Sequence, residues 1–168
     1  MNDDVYAEWL VARKSSPLRI PLMILMGAAV LVSLLLLFVN SWFSLLLVAV
    51  IIAVVFFSRY LKVEYEYTFI TNELQIDAIY SQQMRKNKKK NEMSSIEYME
   101  PTNEERNKNL LSGKTVQFED FSSGEKGRET WTIRYSGGGK QNLLVFEPNE
   151  KMVRVMWRCA PNKVQMKR

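Results

Sequence analysis

Hydrophobic and polar positions change rhythm along this chain of 168 residues, and each change marks a structural boundary. Ile20 to Phe57 is 38 residues without one charge, its polar members being chiefly Ser33, Asn40, Ser41 and Ser44. As one helix it would extend roughly 57 Å, almost twice a hydrocarbon core of about 30 Å. Divided at Asn40-Ser41 it gives Ile20–Val39 and Trp42–Phe57, the first matching that thickness and the second slightly short. An amide-hydroxyl pair favours a turn, and a tryptophan suits the headgroup boundary, so the pattern predicts a transmembrane helical hairpin over residues 20–60.

Beyond Lys62 the period becomes two. Val63, Tyr65, Tyr67 and Phe69 alternate with Glu64, Glu66 and Thr68, then Thr71-Asn72-Glu73 supplies a tight turn. Leu74, Ile76, Ala78 and Tyr80 resume the alternation, and further strands are expected at Met93–Glu100, Val116–Phe121, Thr130–Tyr135 and Leu143–Phe146. A helix follows Pro148, with Met152, Val155, Met156 and Cys159 on one face, Lys151, Arg154 and Arg158 elsewhere, and Pro161 at its end. Residues 61–168 therefore read as an α+β domain, an antiparallel bent sheet or barrel closed by one C-terminal helix. Ahead of the apolar run, Val5, Tyr6, Trp9 and Leu10 fall on one helical face opposite Asp4 and Glu8, which predicts a short amphipathic helix within residues 1–19, lying at the membrane interface or packing on the cytoplasmic domain.

The succession TFITNELQI, a basic turn and MSSIEYMEP resembles bacterial pleckstrin-homology-like (PH-like) domains, as does a terminal helix carrying Trp157. Through YEYTFITNELQID and LLVFEPNEKM the whole chain looks like a family of uncharacterised bacterial proteins with two amino-terminal spans and a cytoplasmic PH-like domain. That resemblance implies a fold and a location and brings no activity with it. PH domains that bind phosphoinositides place bases on the first strands and their connecting loop, whereas Thr71-Asn72-Glu73 offers an acid.

Charge orients the hairpin. Arg13, Lys14 and Arg19 precede it, Arg59 and Lys62 follow it, and the bend carries none, so both termini are expected on the cytoplasmic side of the inner membrane. The acidic start and the length of the first apolar segment disfavour a cleaved signal peptide. With one cysteine and no histidine, an internal disulfide and the usual zinc sites are excluded, together with the commonest neutral-pH acid-base group.

The sharpest cluster is MRKNKKKN, where Arg85, Lys86, Lys88, Lys89 and Lys90 read as an anion or lipid site at a hairpin tip, or as a solvated tip alone. Few residues separate Arg59 from the first strand, so the domain stays within roughly 15 Å of the membrane and lipid attraction would orient it instead of recruiting it. Nucleic-acid binding by this run lacks nearby stacking aromatics. Gly27, Ala28 and Ala29 lie at the depth of Ala49 and Ala53 in an antiparallel hairpin, where small side chains either let helices approach or simply face lipid. LSGKT lacks the first glycine of a phosphate loop, and SSGEKG and SGGGK read as hairpin turns. Glu104-Glu105 and Glu119-Asp120 match no metal or dyad spacing, and Cys159 falls on a core face without an activating base.

The expectation is thus a membrane-anchored interaction module without enzymatic activity, metal or cofactor. Its partner is expected to be a protein or a second copy, the alternative being an anionic lipid surface read through the 85–90 run.

Overall fold

A computed structural model describes residues 6–14, 19–58, 62–112, 116–137 and 139–166. They form two compact units, a mixed α+β domain with two sheets and a separate helical pair.

The first element is a strand. β1 (Tyr6–Ala12) pairs antiparallel with β2 (Val63–Ile70), Tyr6 opposite Ile70 and Ala12 opposite Glu64, where the spacing of the apolar residues predicts a helix. Seven residues cannot distinguish the two periods by themselves, and Val5, the first residue assigned to the helical face, lies outside the described residues. The backbone ladder on β2 decides for extended chain, with Ala7 and Val11 buried.

Between these paired strands the chain makes its apolar excursion, α1 (Arg19–Leu36) and α2 (Phe43–Ser58). The connection spans Asn40-Ser41 as expected, and the Asn40 side-chain oxygen accepts the Trp42 amide at 3.1 Å. α1 is long and apolar enough to cross a membrane, while α2 has 16 residues. The helices pack on each other through a seven-residue rhythm. Met26, Val30, Ser33 and Leu37 on one side, and Phe43, Leu47, Val50 and Val54 on the other, are their less exposed positions.

β2 turns into β3 (Glu73–Tyr80) through Thr71 and Asn72, both at positive φ, the conformation of the tight two-residue hairpin read from the sequence. The basic run is itself a strand, β4 (Met84–Glu92), at the edge of the first sheet, whose order is β1-β2-β3-β4. It was expected as a turn because eight polar residues carry no alternation. Pairing with β3 satisfies its backbone, and lysines on a sheet edge oppose pairing with foreign strands.

The second sheet has the order β5-β7-β8-β6, made of β5 (Ile96–Pro101), β6 (Val116–Asp120), β7 (Trp131–Gly137) and β8 (Lys140–Phe146). β6 runs parallel to β8, a departure from the all-antiparallel expectation. The cause is an unpredicted helix, α3 (Glu104–Leu111), which intervenes between β5 and β6 at opposite edges of the sheet. Its sequence EERNKNLL has no apolar periodicity; Asn103 caps it by accepting the Arg106 amide, and buried Asn107 donates to Thr132 at 3.0 Å.

The core joins Tyr67, Phe69, Leu74 and Ile76 of the first sheet to Ile133, Leu144 and Phe146 of the second, all essentially inaccessible. The Tyr67 and Phe146 rings meet edge to face at 5.5 Å, and the Tyr67 hydroxyl donates to the Phe121 carbonyl at 2.6 Å. The sheets do not close into a barrel. α4 (Glu150–Cys159), capped by Asn149, contributes Met152, Val153, Val155 and Met156 to the core and packs against β1. Cys159, expected in the core, is only half-buried. Beyond α4 the chain returns alongside β5, Met99 bonding through its amide to Lys163 and through its carbonyl to Gln165.

Candidate functional site

Three surfaces of the domain qualify as sites: the β4 run, a cleft beside α3, and the outer side of α4.

The β4 bases are largely engaged within the fold. Arg85 pairs with Glu66 and lies 3.7 Å from Asp77, two carboxylates on neighbouring strands whose side chains are 9% and 4% exposed. Asp77 also accepts from the amides of Gln75 and Asn87, at 2.9 and 2.7 Å. Burial makes such carboxylates costly unless paired, and one guanidinium serves both. Lys89 reaches the second sheet, 2.9 Å from Glu119 and 4.9 Å from the centre of the Tyr135 ring, while the Tyr135 hydroxyl donates to the same carboxylate at 2.8 Å. Burial by itself would lower the Lys89 pKa, but hydrogen bonds to Tyr135 and Glu119 and their charges hold it above the ordinary lysine value. Burial is the first cause that raises Tyr135, so this phenol is no activated base. Lys90 pairs with Glu73 at 3.0 Å, and Lys86 and Lys88 are exposed on the strand. The structure thus spreads the run along an edge and pairs Arg85, Lys89 and Lys90 with carboxylates of the fold.

The small residues of the hairpin stand apart from its seam. Gly27, Ala28, Ala29, Ala49 and Ala53 are all exposed, and a side chain at Gly27 would meet nothing within 4 Å. The helices meet instead through the residues of the seven-residue rhythm, with Ser33 the most buried among them.

A cleft of 480 Å³ lies between α3 and the 122–130 loop, with Phe118 and Val145 on its floor. Phe118 is 47% exposed, and the flanking Lys108 and Arg128 are offset by Glu104 and Glu125. The loop satisfies its own polar groups: the Ser122 amide donates to Asp120, that of Glu125 to the Ser123 hydroxyl, and that of Ser123 to Glu147. The cleft was invisible in the sequence because α3 was.

Beside α4 a second cleft, of 370 Å³, is bounded by Glu129, Trp131, Pro148, Glu150, Val153, Arg154 and Met166. Lys151, Arg154, Trp157 and Arg158 form the exposed side of the helix, and Arg154 pairs with Glu150 one turn earlier at 2.8 Å. Burial raises the Cys159 thiol, which therefore lacks the thiolate character of a nucleophile. Among the described residues no cluster of His, Cys, Asp and Glu has the arrangement of a metal site.

No curated protein and no solved structure matches the chain. Two sheets joined by one core and sealed by a C-terminal helix agree with the match found over residues 3–166: the chain belongs to the bacterial PH-like domain family DUF6106.

Proposed function

We propose that this is a two-span protein of the inner membrane whose PH-like domain, held on the cytoplasmic side, is a non-enzymatic module binding a protein partner or a second copy. The observation that carries this reading is the register of β1 on β2 across the apolar insertion. Ala12 and Glu64 are paired neighbours, so a chain that enters the bilayer after β1 has to return to the side it left before β2 can form. The number of crossings is then even. At ~1.5 Å per residue α1 and α2 extend roughly 27 and 24 Å, close to a hydrocarbon core once flanking residues and local thinning contribute. Basic residues before α1 and after α2 favour the cytoplasm for both ends.

Ion pairing in β4 favours a protein partner over a lipid surface. Exposed Lys86 and Lys88 would supply only about 1 kcal/mol each toward an anionic leaflet. Tags on the first and last residues should be reached from the same side of sealed vesicles, and opposite sides would refute the anchor. In native membranes the full-length K86Q/K88Q protein should keep the crosslinked protein neighbours of the wild type. Disappearance of those neighbours together with loss of binding to anionic nanodiscs would replace the partner reading by lipid sensing.

A further inference from the structure

The surplus charge of the chain is concentrated at one place. Residues 59–149 balance fourteen bases against fourteen acids, whereas residues 150–168 hold six bases and a single acid, which accounts for the entire net charge of +5. Three of those six bases, Lys151, Arg154 and Arg158, lie on α4 at spacings i, i+3 and i+7, a single stripe on its exposed side. Trp157, one turn beyond Arg154, is 42% exposed beside them. The buried side of α4 carries its core residues, Met152, Val153, Val155 and Met156, and the stripe lies away from them.

Arg154 belongs both to the stripe and to the 370 Å³ cleft, whose other lining residues are the apolar Trp131, Pro148, Val153 and Met166 and the carboxylates Glu129 and Glu150. Its partner Glu150 is 85% exposed, and a surface pair of this kind contributes little and exchanges readily. A basic stripe, an exposed tryptophan and an adjoining concavity whose lining is part apolar and part charged are elements of a protein-binding hot spot. The concavity favours a polypeptide over a flat lipid surface, because a peptide side chain can enter it.

We propose that α4 docks an acidic segment of a partner protein, carboxylates meeting Lys151, Arg154 and Arg158, Trp157 acting as anchor, and one apolar side chain filling the cleft. This assignment rests on the protein-binding reading above and gives its partner a chemistry.

The test uses the full-length protein in nanodiscs of neutral phosphatidylcholine, with a fluorescein-labelled peptide of alternating glutamate and leucine as probe. Binding should weaken with salt and vanish when glutamine replaces glutamate in the peptide. It should fall at least tenfold in W157A and in R154Q/R158Q, and stay unchanged in K86Q/K88Q. All three sites are exposed, so the variants should fold; an unaltered thermal transition checks this. Equal binding by W157A, R154Q/R158Q and wild type overturns the assignment, as does equal binding of the glutamine peptide. Trp157-dependent binding of phosphatidylglycerol vesicles without binding of the peptide also overturns it. In native membranes, neighbours captured equally by wild type and W157A would remove α4 from the interface and leave the interaction module standing. Absence of any protein neighbour in the wild type would refute the module itself.

Discussion

Replacing Arg85 by glutamine tests whether the β4 bases are counterions of the fold. The substitution keeps most of the side-chain length and removes the charge that faces Glu66 and Asp77. Breaking a buried pair by removing one partner typically costs about 3–5 kcal/mol, because the remaining charge stays desolvated. Two features reduce that figure. Asp77 retains donors from Gln75 and Asn87, and the Arg85 side chain is itself 58% exposed, so water reaches one half of the interaction. A loss of about 2 kcal/mol is expected, within the range of a hydrogen bond to a charged group. For a domain of this size that lowers the melting temperature by roughly 10 °C. The assay is thermal unfolding of the full-length protein in nanodiscs, with hydrogen exchange of the β2 and β3 amides locating the effect. Arg85→Lys should recover part of the loss, and adding Glu66→Gln with Asp77→Asn to R85Q should recover most of it. A change below about 0.5 kcal/mol, or no recovery by the neutral pair, would show an ordinary surface contact and refute the reasoning.

Three further outcomes follow from packing and burial. Cysteines replacing Glu8 and Thr68, in a Cys159→Ser background, should join readily because these residues face each other across β1 and β2; absence of the bond would place the N-terminal segment outside the sheet. In the hairpin, Gly27→Leu should be tolerated, whereas Val30→Trp should disrupt α1–α2 crosslinking; the reverse result would return the small residues to the helix contact. At high pH the domain should weaken: burial first of all raises Tyr67 and Tyr135 above the ordinary phenol value, so the folded state holds protons that the unfolded chain releases above pH ~10. That stability is complete below pH ~10 and is lost as pH rises toward the folded values; urea midpoints should fall from pH 9 to 11, less steeply in Y67F, and a flat profile would contradict it.

The apolar hairpin, the β2–β3 pair, the strands near β7 and β8 and the final helix were legible because each is dictated by local periodicity. An uncharged run must find an apolar environment, alternation with a tight turn suits a half-buried sheet, and an i, i+3, i+4 row suits a helix against a core. Three elements were set by partners distant in the chain. β1 is a strand because β2 lies beside it across fifty intervening residues, and β4 is a strand because β3 satisfies its backbone. α3 is a polar helix whose buried Asn107 and neighbouring cleft exist only through the crossover to β6. The sites divide in the same way. Sequence located every base, but whether a base is spent or exposed depends on which carboxylate the fold brings within a few ångströms, and that distance is a property of packing alone.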